Sequence, residues 1–405
     1  MPTGRATRIL WHWFTLGPYH FARMAAVARQ PGVELTVIES TSNDDHGWRR
    51  ASGRSGFELI TMSCRPLSRD THREVGPAYL ERLRNAEPDF IVESGYAEMH
   101  SLHALLEYRK MRPEVKILLW SETTPWDHKR LPLLERLKRL IVAEFDGALV
   151  AGSPHAKYME GLGLTPESIQ VVGNCVDNDF FRDQTSRIRG AQREVRTQQP
   201  YFLYVGRLIP EKNIPFLVRS YARYRQGANG EAYDLMLVGS GPEESRVRQL
   251  VHELKVQGIH FAGNKQVEQL PEFYARATCL VLPSTCEPWG LVVNEAMASG
   301  LPVLSSSACG SVGDLVIHGK TGYVFSPDDE SELADYLGRI AGFPQERAEM
   351  GRAAQQQVQA LHIDLYAGRV VQHVNRLRSR PAGESSEGIR SMLLRRLTAA
   401  AAGLY

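Results

Sequence analysis

The chain has 405 residues, of which 43% are hydrophobic and 23% charged. This composition is that of an ordinary globular protein and excludes the disordered, collagen-like and coiled-coil classes. At about 150 residues per domain the length predicts two or three domains, and two of about 200 residues is the simplest division. The 48 Lys and Arg against 46 Asp and Glu leave a net charge of +2, so no overall basic surface favours nucleic acid as a partner.

The distribution of apolar residues and cysteines bears on the cellular compartment. No run reaches the roughly 18 consecutive apolar residues of a membrane span, and the pattern of a secretory signal is missing at the N-terminus. The five cysteines are widely spaced and form neither a metal-binding pair nor a dithiol motif. They are Cys64, Cys175, Cys279, Cys286 and Cys309. We therefore expect a reducing, cytoplasmic location.

Short, almost continuous apolar runs alternate with longer amphipathic segments along the chain. Strands that helices cover on both faces show such runs, so the pattern predicts parallel sheets. The predicted strands of the first half are 8–13, 34–39, 90–93, 116–120, 147–151 and 170–172. Those of the second half are 201–205, 234–238, 259–262, 279–283, 302–305 and 322–325. Helix-length segments separate the strands, so each half predicts a doubly wound α/β domain.

The segment 182–200 is polar, rich in Arg and Gln, and has no apolar period. These features predict a linker between the domains. Apolar residues at helical spacing predict a C-terminal helix, and the tail after it is expected to be frayed. The predicted organisation is a first domain 1–181, a linker 182–200, a second domain 201–361, a helix 362–378 and a tail 379–405.

The most informative segment is 283–302, which reads PSTCEPWGLVVNEAMASGLP. It runs from the carboxyl end of a predicted strand, through a loop with Glu287 and Gly290, into a predicted helix that carries Glu295. Ligands of doubly wound sheets bind outside the carboxyl ends of the strands, and a helix N-terminus attracts anions. The residues predict a ligand with hydroxyl groups on both sides of a phosphate. Two arbitrary glutamates would more simply be surface residues.

This segment resembles the signature of the retaining glycosyltransferases of family 4, the glycosyl transferases group 1. The likeness includes two glutamates separated by seven residues, a glycine between them, and the sequence EAMASGLPV that follows. It implies a GT-B fold, in which two Rossmann-like doubly wound parallel-sheet domains face each other across a cleft. It also implies that Glu287 contacts the transferred sugar, that Glu295 binds the ribose hydroxyls, and that the amides near Gly290 and Leu291 meet the diphosphate. The helix that follows the second domain is expected to cross back to the first.

A second segment, 201–213, reads YFLYVGRLIPEKN and predicts a strand, a glycine turn and two cations. Fixed cations stabilise the negative charge that develops on a departing nucleoside diphosphate. Lone cations after a strand usually face solvent, but the family carries an arginine and a lysine in a matching context. The resemblance therefore implies that Arg207 and Lys212 have this role.

The remaining features of the second half concern the cofactor and the nucleobase. The segment 237–242, LVGSGP, lacks the third glycine of a dinucleotide fingerprint, so hydride transfer is disfavoured. By resemblance, the backbone near Asn264 and Lys265 lines the nucleobase pocket. The resemblance also implies a nucleotide-sugar co-substrate and no metal cofactor, and no acidic pair or His/Cys cluster is spaced like a metal site.

In the first half the resemblance is weaker. The segment 15–20, TLGPYH, follows the first predicted strand, and Gly17 matches the family's glycine near the donor phosphates, where a missing Cβ permits close approach. His20 either contacts the acceptor or caps a helix, and the sequence leaves both open.

The acceptor side departs from the family pattern. Family members often carry a histidine after a strand in the middle of this domain, where the present chain has Ser121 or Glu122. Three carboxylates are candidates for binding an acceptor hydroxyl, namely Glu98, Glu122 and Asp127.

The segment 128–141, HKRLPLLERLKRLI, mixes leucines with Lys and Arg. Such a helix either docks peripherally on the inner, anionic face of a membrane to reach a lipid-linked acceptor or turns its leucines to the core. The second interpretation is favoured.

The predicted function is a hexosyltransferase-like, metal-independent glycosyltransferase that moves a sugar from a nucleotide-sugar donor to a saccharide, lipid-linked or small-molecule acceptor. Retention, which the resemblance implies, arises by double displacement through Glu287 or by same-face substitution. The second is favoured because no second carboxylate is clearly placed for acid–base work. The alternatives are a nucleotide-sugar epimerase of similar fold and a non-catalytic nucleotide-sugar-binding subunit. The latter requires loss of Glu287, Arg207 or Lys212, and all three are present.

Overall fold

The computed structural model describes residues 5–43, 56–66, 69–127, 129–191, 199–228, 232–379 and 394–399, with the side chains of 69–73 left out. The chain divides into two compact units. The first contains Met1–Asn174 and Ile363–Tyr405, and the second contains Cys175–His362. Each unit is built on one parallel sheet with helices around it, which confirms the predicted fold class.

The sheet of the first unit has seven strands in the order β3-β2-β1-β4-β5-β6-β7, and every neighbouring pair is parallel. These strands are β1 (Thr7–Trp13), β2 (Val33–Glu39), β3 (Glu58–Thr61), β4 (Phe90–Ser94), β5 (Lys116–Ser121), β6 (Gly147–Val150) and β7 (Ile169–Val171). The helices between them are α1 (Pro18–Ala28), α2 (Arg69–Ala86), α3 (Met99–Met111), α4 (Pro132–Val142) and α5 (Ser153–Gly161). The strands β2 and β3 lie on one side of β1, and the strands from β4 onward lie on its other side. The strand order therefore reverses between β1 and β4, and their carboxyl ends form the switch point of this sheet.

The sheet of the second unit has six parallel strands in the order β10-β9-β8-β11-β12-β13. These strands are β8 (Tyr201–Val205), β9 (Asp234–Val238), β10 (Ile259–Gly263), β11 (Ala277–Leu282), β12 (Val303–Ser306) and β13 (Gly322–Phe325). Its helices are α6 (Asn178–Ala191), α7 (Ile214–Gly227), α8 (Glu244–Glu253), α9 (Leu270–Arg276), α10 (Leu291–Ala298), α11 (Glu330–Gly342) and α12 (Pro344–Gln357). Short 3₁₀ turns lie at Pro210–Lys212, Val267–Gln269 and Val358–Leu361 in this unit and at Pro166–Ser168 in the first unit. The switch point lies between β8 and β11.

Each of the twelve predicted strands overlaps a strand of the structure. The strand that the sequence did not predict is β3, at the edge of its sheet. Glu58 and Leu59 in it are exposed, and an edge strand with one covered face lacks the continuous apolar run of a central strand. The edge position of β3 therefore explains why the sequence pattern did not predict it.

The predicted linker is wrong in its first half, because α6 occupies that part of the chain. Phe181 and Thr185 are buried, and the Arg189 guanidinium donates hydrogen bonds to the carbonyls of Ala275 (2.9 Å) and Ser299 (2.8 Å). The helix thus belongs to the second unit, and the boundary falls after Asn174. Its polar composition reflects a mostly exposed helix whose few buried residues do not form a clear apolar period. Residues 192–198 lie outside the described residues.

The C-terminal helix α13 (Ile363–Arg378) belongs to the first unit and packs against α1. Its Arg369 donates to the carbonyl of Val172 (3.2 Å), and His373 Nε2 lies 3.1 Å from the carbonyl of Ser168. In the predicted frayed tail, residues 394–399 are helical and bury Leu394 in the core of the first unit. The rest of the tail after residue 379 lies outside the described residues.

The helix α4 contradicts the interpretation in which its leucines face the core. Leu133, Leu137 and Leu140 are exposed, whereas Glu135 and Lys138 are mostly covered. The physical reason is a set of polar partners beneath the helix, which attracts its charged side. Among the described residues no helix combines the length and hydropathy that crossing a bilayer requires.

Candidate active site

The candidate donor site lies at the switch point of the second sheet. Arg207 and Lys212 follow β8, and Glu287 follows β11, the neighbouring strand in the sheet. In doubly wound folds this crevice is where ligands bind. The structure thus brings the residues predicted to be catalytic to one edge of one sheet.

Lys212 and Glu287 form an ion pair in which Lys212 Nζ donates to Glu287 Oε2. Their side chains are 16% and 10% exposed. The Glu287 amide donates to the carbonyl of Ala308 (3.2 Å), and its carbonyl accepts from the amide of Gly310 (2.9 Å). The loop that carries Lys212 is fixed by the Thr285 amide, which donates to the carbonyl of Glu211 (2.9 Å). The backbone therefore positions both members of the pair.

Arg207 is exposed, and its side chain makes no hydrogen bond or ion pair with the residues that the structure describes. Its carbonyl accepts a hydrogen bond from the buried Tyr204 hydroxyl (2.7 Å). Burial raises the pKa of Tyr204 well above its usual value, the Glu287 charge raises it further, and the Arg207 charge lowers it. Arg207 and Glu287 follow the adjacent parallel strands β8 and β11, so both residues lie at the same end of the sheet.

Glycines allow the loops after β8 and β9 to touch. Gly239 has a φ of +139°, and a Cβ built there would lie 1.8 Å from the carbonyl oxygen of Gly206. The Cβ of a residue at Gly241 would lie 2.3 Å from the carbonyl oxygen of Leu208. The glycines of the segment 237–242 are therefore structural, and they set the loop that carries Arg207.

The loop between β11 and α10 is fixed at Gly290. This residue has a φ of +86°, and a Cβ there would lie 2.9 Å from the Leu282 side chain. Cys309 Sγ donates to the carbonyl of Trp289 (2.9 Å), and Trp289 Nε1 donates to Asn294 Oδ1 (2.9 Å). The first amides of a helix have no intrahelical acceptor and attract anions. Diphosphate binding at Gly290 and Leu291 remains a prediction that this geometry permits.

Glu295 lies in α10 and is 1% exposed. Its Oε2 accepts a hydrogen bond from the Tyr274 hydroxyl (2.6 Å), a partner on α9 that the sequence did not suggest. Asn264 is exposed, and Lys265 Nζ lies 6.0 Å from the centroid of the Phe273 ring. The ribose role of Glu295 and the nucleobase roles of Asn264 and Lys265 remain predictions.

Gly17 caps α1 in the first unit with a φ of −70°, and a Cβ there would meet no atom within 4 Å. The loop before it is held by Glu39, whose Oε2 accepts from the Leu16 amide (3.0 Å) and whose Oε1 accepts from Thr61 Oγ1 (2.7 Å). Glu39 is fully buried at the end of β2. Neither sterics nor backbone conformation explains the glycine at position 17, so a ligand contact remains its predicted role.

Glu98 forms the partly exposed end of a buried network. Its Oε2 accepts from Ser40 Oγ (3.2 Å) and lies 3.1 Å from His100 Nε2. Ser40 Oγ lies 2.9 Å from His12 Nε2, and His12 Nδ1 lies 2.8 Å from Glu93 Oε1. The sequence did not single out His12, Glu93 or Ser40. The sequence feature that could have identified them is the presence of polar residues at the carboxyl ends of otherwise apolar strands.

The charges and hydrogen bonds around His12 and Glu98 indicate the protonation states of both side chains. Burial acts to lower the pKa of His12, but the Glu93 carboxylate outweighs it and raises that pKa above its ordinary value. Burial acts to raise the pKa of Glu98, but the hydrogen bond from His100 and the charge of His12 lower it. A doubly protonated His12 donates to both Glu93 and Ser40, which leaves the Ser40 hydroxyl hydrogen for Glu98. The network therefore favours an ionised Glu98, which can accept a hydrogen bond from a hydroxyl.

Glu122 is held by a second network. Its Oε1 accepts from Asn174 Nδ2 (2.8 Å), and Asn174 Oδ1 accepts from Arg23 Nη1 (2.5 Å). Arg23 is fully buried, with its guanidinium 5.6–5.9 Å from three aromatic ring centroids. These rings are those of Trp13, Trp120 and Tyr366. The contact between residues 23 and 174 links distant parts of the sequence, so no local motif predicts it.

The other two acceptor-side candidates have structural contacts. The His20 ring stacks on Trp13 with centroids 3.9 Å apart. Asp127 Oδ2 accepts from the Thr124 amide (3.0 Å), and its Oδ1 accepts from Arg130 Nη2. Both carboxylate oxygens of Asp127 thus stabilise its own loop, and Glu98 and Glu122 are the better placed candidates.

Residues 187–357 match the sequence model of the glycosyl transferases group 1. The sulfoquinovosyl transferase SQD2 of Arabidopsis thaliana is 30% identical over 360 residues, which cover 84% of this chain and 66% of that protein. The glycogen synthase of Mycobacterium tuberculosis is 30% identical over 220 residues, which cover 54% of this chain and 51% of that protein. The chain thus spans about half to two thirds of the length of these curated relatives.

Solved structures share the fold. The sucrose-phosphate synthase of Thermosynechococcus elongatus matches with a TM-score of 0.72 and 22% identity over 92% of this chain and 99% of its own. Anabaena HepE in complex with UDP matches with a TM-score of 0.71 and 16% identity over 92% of this chain and 100% of its own. The chain therefore carries a glycosyl transferases group 1 domain over residues 187–357, within the two-unit parallel-sheet fold of GT-B glycosyltransferases.

Proposed function

We propose that the protein is a glycosyltransferase that moves a sugar from a nucleotide-sugar donor to an acceptor hydroxyl with retention at the anomeric carbon. The observation that carries this proposal is the Lys212–Glu287 pair, at the same end of the sheet as Arg207 and at the switch point of the second unit. The domain match and a fold shared with a UDP complex of Anabaena HepE support it.

The donor diphosphate is the group that these cations suit. Arg207 has no partner among the described residues, and Lys212 is held by Glu287 in a partly covered position. Fixed positive charges that wait at the site of the leaving group stabilise the transition state without reorganisation. Arg207 and Lys212 would therefore stabilise the departing nucleoside diphosphate.

Retention by same-face substitution agrees better with the geometry than double displacement. A nucleophilic Glu287 needs an accessible oxygen that reaches the anomeric carbon, but this side chain is mostly buried, and its Oε2 accepts a hydrogen bond from Lys212. Double displacement also needs a second carboxyl group about 5 Å from the first. Glu295 is buried against Tyr274, which makes it a poor candidate for that group. In the proposed mechanism the leaving phosphate accepts the proton of the acceptor hydroxyl.

On the acceptor side we assign Glu98 and Glu122 as hydrogen-bond acceptors for substrate hydroxyls. Each is the outermost member of a buried network that fixes its orientation. The proposed acceptor is a saccharide, a lipid-linked acceptor or a small molecule. We also propose that no metal takes part, which leaves the diphosphate charge to Arg207, Lys212 and the first amides of α10.

The test is a panel of nucleotide sugars incubated without acceptor, with nucleoside diphosphate release measured by chromatography. Slow hydrolysis of one donor is expected, and NMR of the first sugar released should show the anomeric configuration of the donor. A chelator should leave the rate unchanged. Release of the opposite anomer contradicts retention. Failure of every donor, with and without candidate acceptors, contradicts the proposed activity.

A further inference from the structure

The helix α4 presents a continuous row of leucines to solvent. Leu133, Leu137 and Leu140 lie at positions i, i+4 and i+7, and they are 76%, 38% and 44% exposed. Leu134 is also exposed. We name these four residues the leucine face. An amphipathic helix of a globular unit normally turns its apolar side inward. The outward orientation of the leucine face therefore calls for a physical reason and for a binding partner that covers it.

The cause is a polar cluster beneath the helix. The Tyr158 hydroxyl donates to Glu135 Oε2 (2.8 Å), and Lys138 Nζ donates to Glu135 Oε1 (2.8 Å). The Arg130 guanidinium stacks 4.4 Å from the centroid of the Tyr158 ring and donates to its hydroxyl (2.9 Å). These contacts fix the charged side of α4 against the first unit, so the leucine face must point outward.

The exposed side chains in the described part of 125–140, the segment that carries the leucine face, are apolar or positive. Leu131 and Trp126, the latter 43% exposed, extend the apolar surface in the preceding loop. The exposed charged residues among the described part of 125–140 are Lys129, Arg136 and Arg139. The two acids of this stretch, Asp127 and Glu135, are covered and paired with Arg130 and Lys138. No exposed negative charge therefore lies in the described part of this stretch.

We propose that the leucine face docks on the surface of a bilayer with anionic headgroups. The helix has 11 residues and a length of about 17 Å, too short for a hydrocarbon core of about 30 Å, so it lies in the interfacial plane. The leucines enter the boundary of the acyl chains, and Lys129, Arg136 and Arg139 meet the lipid phosphates. Trp126 lies where an amphipathic ring is favoured, at the headgroup level.

A second copy of the chain fits this surface less well. A two-fold contact through one patch places the same residues opposite each other, so the cations of one copy would face those of the next. Anionic headgroups neutralise the same charges. This proposal does not depend on the proposed function, because vesicle binding is measured without sugar donors or acceptors.

The experiment is vesicle flotation of the full chain. The protein is expected to float with vesicles of phosphatidylcholine and phosphatidylglycerol, and much less with phosphatidylcholine alone or at high salt. The double variant Leu133→Ser/Leu137→Ser should reduce partitioning on the order of tenfold or more. Arg136→Ser/Arg139→Ser should reduce binding to anionic vesicles by about tenfold or more. The matched control Leu254→Ser/Leu365→Ser removes two exposed leucines elsewhere and should bind like the wild type.

A second readout reports the position of the helix. Tryptophan emission should shift to shorter wavelength with anionic vesicles, and Trp126→Phe should abolish most of this shift. Because the substituted leucines are exposed, the melting temperature of both leucine variants should stay unchanged. Failure of the wild type to bind anionic vesicles would overturn the proposal, as would full binding by the leucine variant. Self-association that the leucine variant abolishes, without vesicle binding, would assign the face to a second copy instead.

Discussion

The two units share one strand order around their switch points, but they distribute charge differently. In the second unit Arg207 is exposed, and the Lys212–Glu287 pair is partly accessible. In the first unit the charges at the corresponding edge are buried and bonded to one another, as in the pair of His12 and Glu93. The exposed Arg207, which has no partner among the described residues, remains available to an anionic ligand, and we propose that this ligand is the donor diphosphate. The buried network of His12, Glu93, Ser40 and Glu98 pairs its own charges. It forms a rigid frame in the first unit and exposes only its outermost residue, Glu98.

The largest expected effect lies in the second unit. Arg207→Ala and Lys212→Ala should each cost about 2–4 kcal/mol of transition-state stabilisation, measured as kcat/KM for the donor. Arg207→Ala should leave the melting temperature unchanged, since its side chain has no partner to lose among the described residues. Lys212→Ala should lower it, because Glu287 is left buried without its cation.

Arg246→Ala is the matched control for these variants, since Arg246 is exposed on α8, outside the residues assigned to the site. It should retain full turnover. Wild-type rates and nucleotide affinity in both Arg207→Ala and Lys212→Ala would remove these cations from the mechanism.

Alanine substitutions of Glu287 and Glu295, the two predicted site glutamates of the second unit, should give different kinetic defects. Glu287→Ala should reduce kcat, because the sugar changes charge and shape in the transition state. Glu295→Ala should raise the donor KM more than it lowers kcat, since ribose contacts are equal in the ground and transition states. Tyr274→Phe removes the hydrogen bond to Glu295 but keeps the carboxylate, so its donor KM should change less. The same kinetic defect in both alanine variants would contradict the separate roles.

Substitutions of Gly239 and Gly17 distinguish a glycine that the fold requires from a glycine that a bound ligand requires. Gly239→Ala should destabilise the protein by about 2–4 kcal/mol, because the new Cβ meets the Gly206 carbonyl at a positive φ. Gly17→Ala should leave the melting temperature unchanged, since its Cβ meets no atom within 4 Å. It should nevertheless raise the donor KM if the backbone approaches the donor phosphates. An unchanged KM would remove Gly17 from the donor site.

The comparison also shows which features a sequence can predict. The positions of the loops that carry Glu287 and Lys212 were predicted because each loop lies with its strand and the start of the next helix within about twenty consecutive residues. The frame of the first unit was not predicted, because its contacts join residues far apart, such as Arg23 and Asn174. The orientation of α4 was missed for the same reason, since Tyr158 on another helix determines which side turns inward.

The smallest expected effect is a pH dependence confined to the first unit. The pKa of His12 is raised above 6.5 by Glu93 against the effect of burial, so its contribution to stability is full below that pH and is lost as the pH rises through the raised value. Burial acts to raise the pKa of Glu98, but the hydrogen bond from His100 and the charge of His12 lower it below 4.5, so its contribution is lost only as the pH falls below that value. Other groups that face His12 are Tyr79 from α2 and Ser40 after β2. The network should therefore stabilise the first unit most between about pH 4.5 and 6.5, by roughly 1 kcal/mol per unit of pKa change.

Hydrogen exchange of peptides from β1 and β4, corrected for the intrinsic effect of pH, measures this dependence against β8 and β11 in the same molecule. Protection of β1 and β4 should fall between pH 6 and pH 9, whereas protection of β8 and β11 should change less. His12→Gln keeps a polar side chain of similar size without the titrating proton, so it should lose this decrease and show lower protection at pH 6. His260→Gln, at an exposed histidine of the second unit, should leave the decrease intact. If His12→Gln retains the wild-type pH dependence, the protonated His12 is not what stabilises this buried network, and the ionised state of Glu98 must rest on its contacts with His100 and Ser40.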